Sequence, residues 1–157
     1  MTKNRCSRYN NLVNTLRLTP AHVAQAQALF RVMAKVFEEP REELTDDYVA
    51  GLLRRADFWA IAAIEGNVVV GGATAHTLPM TRFQGSELFL YDIAVLADHR
   101  RRGIGRRLVQ HLRDAAAAEG IGVVFVPAEN EDDHAIDFYR ALGGSASEVT
   151  FFTFAKT

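Results

Sequence analysis

Between positions 23 and 37 the apolar residues Val23, Ala26, Leu29, Phe30, Met33 and Phe37 recur at intervals of one, three and four, which predicts an amphipathic helix. Thr19 stands at its N-cap and Pro20 at its first position, and the Glu38-Glu39-Pro40 break ends it. A shorter helix is expected over 46–54, with Tyr48, Val49 and Leu52 turned inward. The pattern then changes to continuous apolar runs. Segments 58–64 and 68–78 read as the strands of a hairpin around Glu65-Gly66-Asn67, and 87–96, rich in aromatic and β-branched residues, reads as a central strand. Leu108, Val109, Leu112 and Ala116 predict a helix over 105–119, stopped by Gly120. A buried strand at 122–126, a helix at 133–142 closed by Gly143-Gly144, and a last strand at 149–154 complete the chain. With a short strand at 15–18 the order is β α α β β β α β α β. That order describes a single α/β (α+β) domain over 15–157, a mixed central sheet flanked by helices. Residues 1–14 are expected to form a flexible leader.

Composition narrows the class of protein. A chain of 157 residues buries roughly 70% of its unfolded surface and builds a full core without staples. Apolar residues at 48% and charged residues at 24% are ordinary for a globular domain. No apolar run is long enough to span a bilayer, and the opening Met1-Thr2-Lys3-Asn4-Arg5-Cys6 lacks the apolar core of a secretory signal, so a cytoplasmic location is expected. The lone Cys6 excludes a disulfide framework. The net charge of -1 conceals a segregation: Arg100, Arg101, Arg102, Arg106 and Arg107 crowd one stretch, while acid gathers at 38–47 and 129–133. Such a layout suits one anionic and one cationic ligand, although solvated loop charge explains either acidic cluster alone.

The sharpest local signal is Val95-Leu96-Ala97-Asp98-His99-Arg100-Arg101-Arg102-Gly103-Ile104-Gly105-Arg106, where a strand runs through a glycine-bearing turn into a helix. Successive N–H groups, a helix dipole and glycines without Cβ atoms make a phosphate cradle, to which arginines add charge-assisted hydrogen bonds. The third glycine of a dinucleotide fold and the Lys-Ser/Thr of a nucleoside triphosphate loop are both missing. His22, His76, His99, His111 and His134 show no ligand spacing, so no metal is expected. Phe151, Phe152, Phe154 and Tyr91 read most simply as core, with a lining of the acceptor cleft by a few of them as the alternative.

Arg100-x-x-Gly103-x-Gly105 after Tyr91-Asp92-Ile93-Ala94-Val95, followed by Ala135-Ile136-Asp137-Phe138-Tyr139-Arg140-Ala141-Leu142-Gly143, resembles the GNAT superfamily of N-acetyltransferases over residues 15 to 155. The resemblance implies acetyl-CoA as cosubstrate. Ile93, Ala94 and Val95 would pair their backbone with the pantetheine arm and polarise the thioester carbonyl, and the stretch Arg100, Arg101, Arg102, Gly103, Ile104, Gly105 and Arg106 would hold the pyrophosphate. Tyr139 would protonate the departing thiolate, with packing beside Phe138 as the plainer alternative. An ammonium must lose a proton before it attacks, and Asp92, a carboxylate inside an apolar strand, is the candidate base; a structural role accepting loop N–H groups is the alternative. The family often has an asparagine seven residues before the tyrosine; here that place is Asp132, and Asn130 is its expected substitute toward CoA.

Within the superfamily, Tyr91-Asp92-Ile93-Ala94-Val95, Glu129-x-x-Asp132-Asp133-x-Ala135, Leu52-Leu53-Arg54 and Leu78-Pro79 are similar to the type I aminoglycoside 3-N-acetyltransferases, enzymes of antibiotic resistance. This implies a polycationic aminoglycoside of gentamicin type, acetylated on its 3-amine and bound by Asp92, Glu129, Asp132, Asp133 and Glu39. It implies no nucleic-acid or membrane partner and leaves a homodimer open. Polyamine or peptide acetylation, and a non-catalytic acetyl-CoA sensor, stay open as other readings.

Overall fold

The computed structural model describes residues 12–155. The chain divides into two compact units, one running to Val126 and one from Pro127 onward. The first holds a five-stranded sheet in the order β1 (Val13–Arg17), β2 (Phe58–Glu65), β3 (Val68–Pro79), β4 (Ser86–Val95) and β5 (Val124–Phe125). The first four are antiparallel neighbours and β5 joins β4 in parallel. The helices are α1 (Val23–Phe37), α2 (Asp46–Arg54) and α3 (Ile104–Ala118); α4 (Asp133–Ala141) belongs to the second unit.

Alternation along β2 sends its side chains to two different cores. Ala60 and Ala62 pack with Leu29 and Met33 of α1 and Val49 and Leu53 of α2. Trp59, Ile61 and Ala63 face the other way, toward α3: Thr15, which pairs with Ala63, hydrogen-bonds Nδ1 of His111 at 2.7 Å. On that face Arg17 lies 3.5 Å from the centre of the Trp59 ring and ion-pairs with Glu119. Leu108 and Leu112 of α3 are fully buried. Gly72 lets α1 approach closely, since a Cβ there would fall 2.4 Å from Leu29 Cδ1 and from the Ile61 carbonyl oxygen.

Several expectations are corrected. The strand at the start begins at Val13, so Val13 and Asn14 are not leader; Val13 is buried and pairs with Glu65. Residues 1–11, with Cys6, lie outside the described residues. Pro20–His22 form a short 3-10 turn ahead of α1, with the Thr19 N–H donating to His22 Nδ1. Tyr48 is outward and 55% exposed, because the buried face of α2 is the Val49/Leu53 pair, four residues apart, and Tyr48 lies a quarter-turn away. Residues 145–155 carry no helix or strand, and Phe151, Phe152, Phe154 and also Tyr91 are exposed rather than core. Aromatic content signals a fit to a pleated surface, and becomes a strand only where a ladder partner exists.

Candidate active site

Strand β4 carries the site. Thr74 of β3 stands opposite Asp92, but its neighbour Ala75 stands opposite Leu90, so Tyr91 has no partner and β4 bulges there. The bulge shifts the alternation: Leu88 and Leu90 stand opposite Thr77 and Ala75, whereas Asp92 and Ala94 stand opposite Thr74 and Gly72 on the other face. It also sets Asp92 on the face of Thr74, whose buried hydroxyl donates to Asp92 Oδ2 at 3.4 Å. Asp92 is half-buried. That burial raises its carboxyl above the ordinary carboxylate value, the Thr74 hydrogen bond opposes the rise, and Glu39 at the end of α1 adds to it. Glu39 and Asp92, both named from sequence, are thus in electrostatic reach of one another, and His76 is as well.

On its other edge β4 pairs with β5 only at Leu88 and Phe89. From Ile93 to Val95 the β5 side of the strand has no ladder among the described residues, and these are the positions named from sequence for the pantetheine arm. The Val95 carbonyl accepts from Arg100 Nε at 3.2 Å.

The loop that follows is bent by two left-handed residues, Arg101 at φ 60° and Gly103 at φ 77°, the second being the N-cap of α3. A non-glycine residue held at positive φ marks a loop whose shape is imposed by its surroundings. Space beside Gly103 is open: a Cβ built there meets nothing within 4 Å. Ile104 is buried beneath the loop and anchors the head of α3, with Gly105 beside it. The helix start therefore stands beside open space, and free N–H groups at a helix head can donate to phosphate oxygens.

The arginines divide into two groups that sequence did not separate. Arg102 donates to Glu65 Oε1 at 2.5 Å and Arg107 to the Val13 carbonyl at 3.0 Å. The side chains of Arg101 and Arg106 are exposed and make no hydrogen bond or ion pair with another described residue. Glu65 also accepts from His99 Nε2 at 3.0 Å, so the β2–β3 hairpin grips the loop at two points. Its carboxyl is held below the usual range, first by the hydrogen bond from Arg102. Sequence reading placed Glu65 only in a turn; no local signal pairs it with residues 34 and 37 positions away.

The second unit holds the remaining residues. Asp132 caps α4, its Oδ1 accepting from the Ala135 N–H at 2.9 Å, and its own N–H donates to the Glu129 carbonyl. Glu129, Asn130 and Asp133 are exposed around that helix start. Tyr139 lies two turns on, its ring 5.1 Å from Phe138. Burial, reinforced by the negative Asp132, pushes its phenol up to about 12, so it holds its proton throughout the neutral range. Gly143 at φ 85° and Gly144, whose N–H returns to the Tyr139 carbonyl, end the helix; a Cβ on Gly144 would lie 3.0 Å from that carbonyl oxygen. Among the described residues no group of His, Cys, Asp and Glu is placed to hold a metal ion.

Comparison with known proteins gives consistent results. The acetyltransferase (GNAT) family matches residues 24–143. An aminoglycoside acetyltransferase from an uncultured soil metagenomic sample, solved in complex with sisomicin, superposes with a TM-score of 0.89 at 27% identity, covering 94% of this chain and 98% of that one. A second soil metagenomic aminoglycoside acetyltransferase gives a TM-score of 0.86 at 33% identity, covering 93% and 99%. The ribosomal protein bS18 alanine N-acetyltransferase of Escherichia coli (strain K12) is 35% identical over 63 residues, covering 40% of this chain and 43% of its own length. The chain spans less than half the length of the curated relatives it matches.

Proposed function

The chain belongs to the acetyltransferase (GNAT) family, and on that premise we propose that it transfers acetyl from acetyl-CoA to the 3-amino group of aminoglycosides of gentamicin type. The observation that carries the acceptor class is the likeness, over nearly the whole of both chains, to two soil aminoglycoside acetyltransferases. The choice of the 3-amine rests on the residues around Asp92 and before Tyr139 that resemble the type I enzymes.

The residues present fit acetyl-CoA. The bent loop, the open space at Gly103 and the two uncommitted guanidinium groups of Arg101 and Arg106 suit a pyrophosphate, while the ladder-free edge at Ile93 to Val95 suits an extended amide-bearing arm. Bound there, acetyl-CoA supplies an activated acyl carbon. The N–H groups of that edge polarise its carbonyl oxygen. Asp92 takes the proton of the attacking ammonium, a task its raised pKa favours because the carboxylate is a stronger base than an exposed one. Tyr139, still protonated at neutral pH, gives its proton to the departing sulfur. Glu39, Glu129, Asp132 and Asp133 pair with the acceptor's other ammonium groups.

A CoA-release assay over gentamicin, sisomicin, spermidine and a bS18-type amino-terminal peptide, with the product's acetyl position read by NMR, tests this. Gentamicin acetylated at the 3-amine, and no reaction with a drug whose 3-amine is blocked, is the expected result. Turnover of the peptide alone would move the acceptor to the class that the 63-residue likeness favours. Binding of acetyl-CoA with no turnover of any amine would make the protein a sensor.

A further inference from the structure

The bulge in β4 has an effect on Tyr91 as well as on Asp92. In regular alternation these two neighbours point to opposite faces of the sheet. Here Tyr91 lies edge-to-face with His76 at 5.5 Å and with Phe89 at 5.7 Å between ring centres. His76 and Phe89 are partners across β3 and β4, so they share a face, and Thr74, two residues from His76, occupies that face as well. Thr74 is also the residue that hydrogen-bonds Asp92. The extra residue of the bulge thus sets an aromatic ring and a half-buried carboxylate side by side on one face. Tyr91 nevertheless leaves 59% of its surface exposed, so its two ring contacts fix its orientation without covering it.

A carboxylate alone attracts any cation. A ring fixed beside it adds a surface that favours polarised C–H groups and ammonium groups, because the π face is electron-rich. In a cyclic polyamine the carbon next to each ammonium carries such C–H groups on a rigid ring; a linear polyamine presents them only after losing chain entropy. We propose that Tyr91 is a specificity-determining residue of the acceptor site, its ring receiving the face of a cyclic amine whose ammonium pairs with Asp92. This rests on the acetyltransferase reading for the identity of the acceptor, but the binding it describes is measurable without turnover.

The test is calorimetric titration of the full chain with sisomicin and with spermidine, for wild type, Tyr91→Ala and Tyr91→Phe, alongside CoA binding and melting temperature. Tyr91→Ala is expected to weaken sisomicin binding about 5- to 15-fold, as the loss of an aromatic contact predicts. Its spermidine and CoA affinities should change less than about 2-fold, and Tyr91→Phe should keep wild-type affinity for all three because it keeps the ring. Unchanged sisomicin affinity in folded Tyr91→Ala overturns the proposal, as does an equal loss for spermidine, or an equal loss in Tyr91→Phe, which would assign the effect to the hydroxyl. No sisomicin binding by wild type also overturns it. Binding that follows the expected pattern without CoA release would instead remove the acetylation reading and leave the Tyr91 site standing.

Discussion

Asp92 and Glu65 are carboxylates of one sheet with opposite surroundings. Glu65 receives two donors, the His99 ring and the Arg102 guanidinium, and its carboxyl is held below the usual range. Asp92 receives one hydroxyl at 3.4 Å, lies half-buried with Glu39 nearby, and its carboxyl is held above that range. The first is a fully partnered ion whose strength goes into holding a loop; the second is under-partnered and keeps capacity for a proton and for a cation. The same contrast runs through the arginines, with Arg102 and Arg107 committed within the protein and the Arg101 and Arg106 side chains without a partner among the described residues. The charges proposed as functional are the ones that lack a partner among the described residues.

The contrast is broken most severely at Asp92. Asp92→Asn should lower kcat by a factor on the order of 10²–10⁴ with little change in acetyl-CoA KM, and the acidic limb of the pH–rate profile should disappear. Its effect on stability should have the opposite sign. Because the folded pKa is raised, folding favours the protonated acid, and the cost of ionisation appears as pH climbs through that raised value. The variant should therefore melt above wild type at neutral pH, and the two should converge below the ordinary carboxylate pKa of about 3.9. A variant that loses stability at pH 7 would show Asp92 to be a structural acceptor instead.

The next effect belongs to the loop itself. Gly103→Val places a β-branched residue at φ 77° and a side chain in the open space before the cradle, and should weaken CoA binding on the order of 10²-fold in calorimetry. CoA affinity equal to wild type in the folded variant would end the pyrophosphate assignment.

The smallest effect sharpens the contrast rather than breaking it. Glu65→Gln releases Arg102 and His99 together and should raise the CoA Kd about 10-fold while leaving the kcat at saturating acetyl-CoA near wild type, the signature of a lost brace. With a lowered folded pKa, Glu65 contributes stability that is present above the ordinary glutamate value of about 4.3 and lost as pH falls through the depressed one. Glu65→Gln should accordingly melt below wild type at neutral pH, opposite in sign to Asp92→Asn, and the difference should vanish in acid as it does for that variant.

Sequence legibility follows the range of the interactions. The cradle is a contiguous stretch in which strand, glycines and helix start are all local, and its elements stand where the pattern put them to within a few residues. Asp92 is legible for the same reason, as a charge inside an apolar run. Glu65 is not, because its partners are far along the chain and a glutamate before Gly66-Asn67 looks like any turn residue. Nor is the face of Asp92, since alternation from Leu88 and Leu90 sends it away from Tyr91 and only pairing with β3 reveals the bulge. Asp132 was expected as a substrate ligand, and the structure gives one of its oxygens to the cap of α4, a role that an Asp three residues before Ala135 at a helix start can announce. The strand expected at 149–154 failed because six residues of favourable composition carry no information about a partner.

The short β5 leaves half of β4 as an open sheet edge, from Leu90 onward, in the interior of the strand order. An edge of unpaired N–H and C=O groups is a template for any extended chain, and natural sheets avoid leaving one bare. On the proposed function the ligand arm completes the ladder, which would couple cosubstrate occupancy to colloidal behaviour. Preparations stripped of CoA should self-associate on warming sooner than loaded ones, and CoA at 100 times its Kd should add about 2.7 kcal/mol to the apparent folding stability by mass action alone. The backbone groups proposed to serve catalysis would thus be a storage liability whenever CoA runs short.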